Sequence, residues 1–167
     1  MKFLENTKLK DKILNYIFKT SNQPIRFKDL LVANAYHNEG MHVDPEKLGF
    51  RMIIKNAYIV YGIVCFFIIV PLLAITHTLF ENLDFHLSII GTIIATSAFF
   101  IGFQYFHSCI KDKMAAKRIK EAWTIHFPYF SYEKYNKKVE KIFNEAMKKE
   151  IKKNDLQSYI MNRLSQE

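Results

Sequence analysis

Charged residues are absent from two long stretches of this 167-residue chain. Neither residues 57–80 nor residues 85–110 contain Asp, Glu, Lys or Arg. At about 1.5 Å per residue, helices of these lengths would reach roughly 36 and 39 Å, which exceeds the ~30 Å hydrocarbon core of a bilayer. Core helices of soluble proteins seldom stay uncharged over such a length, so the sequence predicts two membrane-spanning helices.

Glycines and cysteines are also scarce, and their placement excludes several kinds of site. The five glycines, at positions 40, 49, 62, 91 and 102, are too scattered for a phosphate-binding loop or a dinucleotide fingerprint. Cys65 and Cys109 are the only cysteines. In a regular hairpin they would be offset by about eight residues, which excludes a disulfide between them. Catalytic signatures such as GxSxG, HExxH and CxxC are missing as well. We therefore expect no enzyme activity, no cofactor and no metal.

The distribution of positive charge indicates how the two spans are oriented. Lys and Arg number ten in residues 1–56, none in 81–86 and fourteen in 111–167. Because cytoplasmic segments of membrane proteins are enriched in Lys and Arg, both termini are predicted to be cytoplasmic. Residues 81–84 then form a short outer turn. The protein would be a two-pass protein of the plasma (inner) membrane, with membrane lipid as one partner.

Apolar spacing outside the spans predicts further helices. Two helices are expected in the N-terminal cytoplasmic segment, residues 1–44, and two amphipathic ones in the C-terminal segment, residues 126–167. Ser131 is a suitable cap for the first of the C-terminal pair, and Asn154 or Asp155 for the second. Their apolar faces need partners, so a small helical cytoplasmic domain is expected.

Both membrane helices are predicted to extend beyond the bilayer as stalks. Pro45 suits the first turn of a helix that would continue through residues 45–80. Helix-forming residues follow the second span, so a helix is expected over residues 85–125, ending before Pro128. The predicted fold class is thus an all-α integral membrane protein. It is a two-helix transmembrane hairpin with extended cytoplasmic helical stalks.

Small residues recur along the second span at alternating steps of three and four. This helix-packing stripe consists of Ser88, Gly91, Ala95, Ala98, Gly102, Tyr105 and Cys109. Such spacing lets another helix approach closely. The partner is either the first span of the same hairpin or another subunit. Bulky side chains lie mostly off the stripe and suit lipid or a hydrophobic partner: Phe99, Phe100, Phe103 and Phe106.

The outer turn carries the only acidic residues between the spans, Glu81 and Asp84. In a homo-oligomer, copies of these outer-mouth acidic residues could surround the entrance of a cation pore. His77 and His86 could also approach them and form a shallow divalent-metal site. We favour the simpler interpretation, in which these histidines contact water and lipid headgroups. The HNEGMH segment, residues 37–42, is interpreted as a helix end rather than a metal site.

An aromatic cluster follows the second span. Trp123 lies thirteen residues past Ile110, about 20 Å into the cytoplasm if the helix is straight, so a membrane-interface belt is not expected. The cluster either fills the core of the cytoplasmic domain or docks a partner. The candidate docking residues are Trp123, Phe127, Tyr129 and Phe130.

Nucleic acid is the partner that a basic chain first suggests. The predicted element order in residues 11–56 is similar to that of helix-turn-helix DNA readers. Here, however, the last helix would run directly into the membrane, so no nucleic-acid partner is expected.

Three functions fit these observations. The best is an accessory, assembly or stabilising subunit of a larger membrane complex, docked through the stripe and the basic cytoplasmic domain. The second is a homo-oligomeric cation channel with an acidic outer mouth. The third is a membrane signal transducer that acts through the stalks. The spans lack charged residues at depth, which disfavours a proton relay or voltage sensor within one chain.

Overall fold

A computed structural model describes residues 7–80 and 85–166, with side chains described for 8–71, 90–91 and 93–166. The described residues are mostly helical, with a two-stranded sheet formed by β1 and β2. In chain order the elements are α1 (Thr7–Ile17), β1 (Phe18–Thr20), α2 (Phe27–Asn38), β2 (Phe50–Met52), α3 (Ile54–Phe80), α4 (Phe85–His126), α5 (Tyr132–Lys148) and α6 (Leu156–Ser165).

Several helix ends lie where the sequence places them. Ser131 occupies the position before α5 and Asp155 the position before α6, although neither side chain makes a capping hydrogen bond. The long helix predicted to continue after the second span is confirmed, because α4 runs to His126. It ends there because Pro128 has no amide hydrogen for a further helical turn.

The helix predicted to begin at Pro45 is wrong. The amide of Gly49 donates to the Glu46 carbonyl and that of Phe50 to the Pro45 carbonyl, each at 3.0 Å, which closes a turn. Gly49 has φ +64°, a left-handed conformation that ends a right-handed helix and that glycine adopts at little cost. Strand β2 follows, and α3 begins only at Ile54. The helix therefore continues beyond the second uncharged run, but no helix leads from Pro45 into the first.

The chain divides into two compact units. The hairpin unit contains α1, α3 and α4 as far as Ile110, and the helical unit contains α2, α4 from Lys111, α5 and α6. In the hairpin unit, α1 packs against the start of α3. The Ile53 amide donates to the Ile17 carbonyl at 2.8 Å, and Asn56 Nδ2 donates to the Tyr16 carbonyl at 2.6 Å.

The helical unit has a continuous apolar core. Its fully buried side chains come from all four helices and include Leu30, Met114, Ile119, Trp123, Val139, Leu156 and Ile160. Burying each large apolar side chain contributes roughly 1.5–3 kcal/mol, so this core stabilises the unit. Helices α2 and α5 are also joined by polar bonds from Asn34 Nδ2 to the Asn136 carbonyl, 2.9 Å, and from Asn38 Nδ2 to Glu140 Oε2, 2.7 Å.

Candidate functional site

Helices α3 and α4 are both long and apolar enough to cross a membrane. The apolar segments found among the described residues are Ile54–Pro71 and Ile93–His126. Within each of these segments, only 11% of an 18-residue apolar window is buried inside the protein. A core helix of a soluble protein is mostly buried, so the low burial of these windows is more typical of a helix that crosses a membrane.

The two helices meet around one tyrosine of α3. Tyr61 is 7% exposed, and its hydroxyl donates to the carbonyl of Phe99 at 2.8 Å. Its ring centroid lies 5.1–5.4 Å from those of Phe99, Phe103 and Phe106. One turn earlier, Tyr58 stacks on Phe103 with a centroid distance of 4.0 Å. Aromatic packing and one hydrogen bond to backbone thus hold α3 against α4 at this level.

Three of the four phenylalanines between positions 99 and 106 therefore contact α3. Phe103 is 8% exposed, whereas Phe100 packs edge-on against Phe99 at 5.8 Å and is 60% exposed. The sequence left open whether these rings face lipid or a hydrophobic partner. For Phe99, Phe103 and Phe106, the partner is α3 of the same chain.

Along the predicted helix-packing stripe, Gly102 has a close contact to α3. A Cβ atom at Gly102 would lie 2.5 Å from the Tyr61 hydroxyl oxygen, so only glycine fits beside this tyrosine without a shift. Gly91, Ala95 and Ala98 are exposed, so the described side chains do not cover these stripe positions.

The remaining described positions of the stripe, Tyr105 and Cys109, differ in exposure. Tyr105 is 78% exposed and Cys109 is half-buried. The side chain of Ser88 lies outside the described residues. Cys65 and Cys109 are both free thiols.

The aromatic cluster after the second span is divided between core and surface. Trp123 and Phe127 are each 1% exposed, and their ring centroids are 4.4 Å apart. Trp123 Nε1 donates to the Phe130 carbonyl at 2.6 Å, which fixes the loop after α4. Tyr129, in contrast, is 90% exposed. Of the four predicted docking residues, Tyr129 alone presents most of its side chain to solvent.

A pocket of about 580 Å³ lies beside this loop. Its lining includes Trp123, Tyr129 and Tyr132 together with Lys120 and Glu133. Lys120 Nζ lies 2.8 Å from Glu133 Oε1 and 5.3 Å from the centroid of the Tyr132 ring. This hydrogen bond from Lys120 lowers the pKa of Glu133, and burial raises the pKa of Tyr132.

Some of the residues considered as metal ligands lie within the described ranges and others do not. Across the described ranges, no three His, Cys, Asp or Glu side chains are grouped as metal ligands would be. In the 37–42 segment, Gly40 has φ +71° just after the end of α2, which confirms the predicted helix end. Glu81 and Asp84, and the side chains of His77 and His86, lie outside the described residues. The acidic mouth and the outer histidine site stay predictions.

Arg118 has a structural role that the sequence pattern concealed. It lies in the basic segment KDKMAAKR, which suggests a solvated surface, yet only 14% of its side chain is exposed. Its Nε donates to the Leu48 carbonyl at 3.1 Å, and its Nη1 bonds Glu121 Oε2 at 2.9 Å. Arg118 thus fixes the turn that ends at Gly49, a long-range contact that periodicity cannot reveal.

Comparisons with protein-family models, with curated proteins and with solved structures find no match to this chain. The assignment of a function therefore rests on the residues and contacts described above.

Proposed function

We propose that the chain is a two-pass protein of the plasma (inner) membrane in which α3 and α4 cross the bilayer and both termini are cytoplasmic. The low burial of the two helices supports this, because large apolar side chains project from them. Phe66, Phe67 and Ile68 of α3 are 62%, 71% and 58% exposed, and Ile93, Ile94 and Ile101 of α4 are 61%, 63% and 70% exposed. A contiguous apolar surface of this kind suits lipid or a protein partner rather than water. The distribution of Lys and Arg supports the orientation.

Within the membrane, the chain acts as a non-enzymatic accessory, assembly or stabilising subunit of a larger membrane complex. The uncovered small-residue face of α4, formed by Gly91, Ala95 and Ala98, carries this proposal. Lipid tails are as apolar as the side chains they contact, so helices in a bilayer associate mainly through close packing and interhelical hydrogen bonds. Small residues permit that packing, and these three are exposed among the described residues.

The helical unit provides a second point of contact with the same complex. Its core is complete without a partner, since its apolar helix faces are buried against one another. Tyr129 projects from the loop after α4 with 90% of its side chain exposed. An exposed tyrosine beside a pocket is a typical anchor at protein interfaces, because it combines a large apolar ring with a hydrogen-bonding group.

The test is extraction of the native assembly in mild detergent, followed by measurement of its mass and identification of every co-purifying chain. An accessory subunit should purify with a different and larger membrane protein. The double substitution Ala95→Leu with Ala98→Leu adds bulk to the exposed face and should release that protein. Ser97→Leu makes the same kind of change at an exposed neighbouring position and should retain it.

Two outcomes would contradict this proposal. Retention of the partner by the double variant would exclude the small-residue face as the contact. A uniform homo-oligomer without any other chain would contradict the accessory role altogether. That second result would favour the channel alternative, in which Glu81 and Asp84 surround the outer mouth.

A further inference from the structure

The outward side of α5 is strongly basic. Its inward side buries Val139, Ile142, Phe143 and Ala146 in the helical unit. Lysines recur on the opposite side at intervals that return to the same face of a helix: Lys134, Lys137, Lys141 and Lys148. All four are exposed. We call these four side chains the α5 lysine face.

Each carboxylate of α5 contacts a group from another helix, and for Glu133 and Glu145 that group is a cation. Glu133 Oε1 is 2.8 Å from Lys120 Nζ, Glu140 Oε2 accepts from Asn38 Nδ2 at 2.7 Å, and Glu145 Oε2 is 3.2 Å from Arg163 Nη2.

In the part of the chain that the structure describes, Lys137, Lys141 and Lys148 have no ion pair. Lys134 Nζ lies 5.3 Å from the ring centroid of Tyr135. The α5 lysine face thus keeps most of its positive charge available to an external anion.

We infer that the α5 lysine face binds the headgroups of anionic phospholipids in the membrane that the chain spans. The inference rests on the proposed membrane insertion. Helix α5 begins at Tyr132, 22 residues beyond Ile110. Even a fully extended chain of this length reaches at most about 75 Å, and the part up to His126 is helical and therefore shorter, so α5 is tethered to the membrane that α4 crosses. This tether gives the face a high effective concentration of headgroups.

The chemistry of the face favours lipid over an acidic protein. Its charges are all lysines, which are flexible, strongly hydrated and without a fixed fork of donors. They are spread over about 21 Å of helix. A protein interface of that extent normally has aromatic or arginine anchors at its centre and is depleted in lysine. A diffuse layer of negative headgroups requires neither anchors nor fixed geometry.

The experiment uses the full chain in lipid nanodiscs. A nitroxide label is attached through Asn144→Cys, in a background with Cys65→Ala and Cys109→Ala. Asn144 is exposed on the same side of α5 as the lysines. The accessibility of the label to a water-soluble nickel complex is compared in two kinds of disc. One kind contains only phosphatidylcholine, and the other contains about one-third phosphatidylglycerol.

We expect accessibility to fall in the anionic discs and to recover in about 0.5 M NaCl, because salt screens contacts between surface charges. One lysine near an anionic surface favours association about fivefold. The triple substitution Lys137→Gln, Lys141→Gln and Lys148→Gln should therefore reduce the ratio of bound to free α5 on the order of a hundredfold, and so abolish the response to lipid charge.

Two controls isolate the face. Lys8→Gln, Lys12→Gln and Lys28→Gln remove the same charge from exposed positions elsewhere and should leave the response intact. A label at the exposed Asn162 of α6 should respond to lipid charge less than the label at Asn144. Trp123 fluorescence reports whether each variant retains its core.

The possible contradictions differ from those of the proposed function. A chain that enters neither kind of disc would contradict membrane insertion and this inference together. A chain that enters both, with a label indifferent to lipid charge, would overturn this inference alone. If the triple variant instead releases a co-purifying acidic protein and keeps the lipid response, the face is a protein-docking surface and the inference is again wrong.

Discussion

Helices α3 and α5 use apolar residues in opposite ways. In α5, apolar side chains occupy one side only, and Ile142 and Phe143 are each 5% exposed. In α3 they occur all around the helix, and Phe66 and Phe67 are 62% and 71% exposed. A helix that is apolar on every side needs an apolar environment on every side, whereas a one-sided helix needs only a core on that side. The difference indicates two environments within one chain.

The largest expected effect comes from the core of the helical unit. Trp123→Ala should lower the free energy of unfolding by about 3–5 kcal/mol, because the change empties a buried site and removes the bond from Nε1 to the Phe130 carbonyl. Thermal unfolding followed by circular dichroism measures it. Trp123→Phe keeps an aromatic ring and should cost less. An alanine variant as stable as the parent would place Trp123 outside the core.

A charged residue introduced into α3 tests whether this helix, unlike α5, lies in a membrane. Phe67→Lys changes a 71% exposed residue, so in water it would cost little. Near the centre of a membrane helix a lysine costs about 2.5–3.5 kcal/mol, and integration measured by alkaline carbonate extraction should fall. Asn144→Lys in α5 is the matched change and should have no effect. Equal retention of both variants would remove the distinction between the two helices.

The contact between Tyr61 and Gly102 allows a sharper test within the hairpin unit. Gly102→Ala should destabilise the hairpin by about 1–3 kcal/mol through overpacking, because the new Cβ would meet the Tyr61 hydroxyl. In a Tyr61→Phe background the same change should cost less, and this coupling is measured with a double-mutant cycle. Gly62→Ala, with open space around it, is the control. If the effects of the Gly102 and Tyr61 substitutions are additive, the two residues do not contact each other.

The smallest expected effect is the pH dependence of the ion pair between Lys120 and Glu133. The Lys120 hydrogen bond lowers the pKa of Glu133 in the folded protein. The stabilisation is therefore present above the ordinary pKa of a glutamate and is lost as the pH falls through the lowered value. The melting temperature should lose this acid-dependent component in Glu133→Gln. An unchanged pH profile would show that the pair contributes nothing in solution.

Features that depend on local sequence were the ones that could be predicted. Helices α5 and α6 begin after Ser131 and Asp155, where residues that favour helix starts precede an apolar repeat. The continuity of α4 followed from a run of helix formers without a breaker. These signals act over a few residues, so a single sequence carries them in full.

Features that depend on distant contacts could not be predicted. The turn that ends at Gly49 is stabilised by Arg118, a residue 69 positions later in the chain. Pro45 followed by acidic and apolar residues favours a helix locally, and the turn with its tertiary contact overrides that preference. The closeness of Tyr61 to Gly102 is of the same kind, since helix register depends on how aromatic rings interlock.

The membrane location of α3 is tested by the reactivity of two cysteines in one protein, measured in sealed membrane vesicles with a membrane-impermeant maleimide. Cys109→Ala leaves Cys65 in α3, and Asn162→Cys adds a thiol at an exposed position of α6. If α3 spans the membrane, Cys65 should stay unlabelled in vesicles of either orientation. The thiol on α6 should react only when the cytoplasmic face is outward. Labelling of Cys65 from the aqueous phase as fast as the thiol on α6 would contradict a membrane-spanning α3.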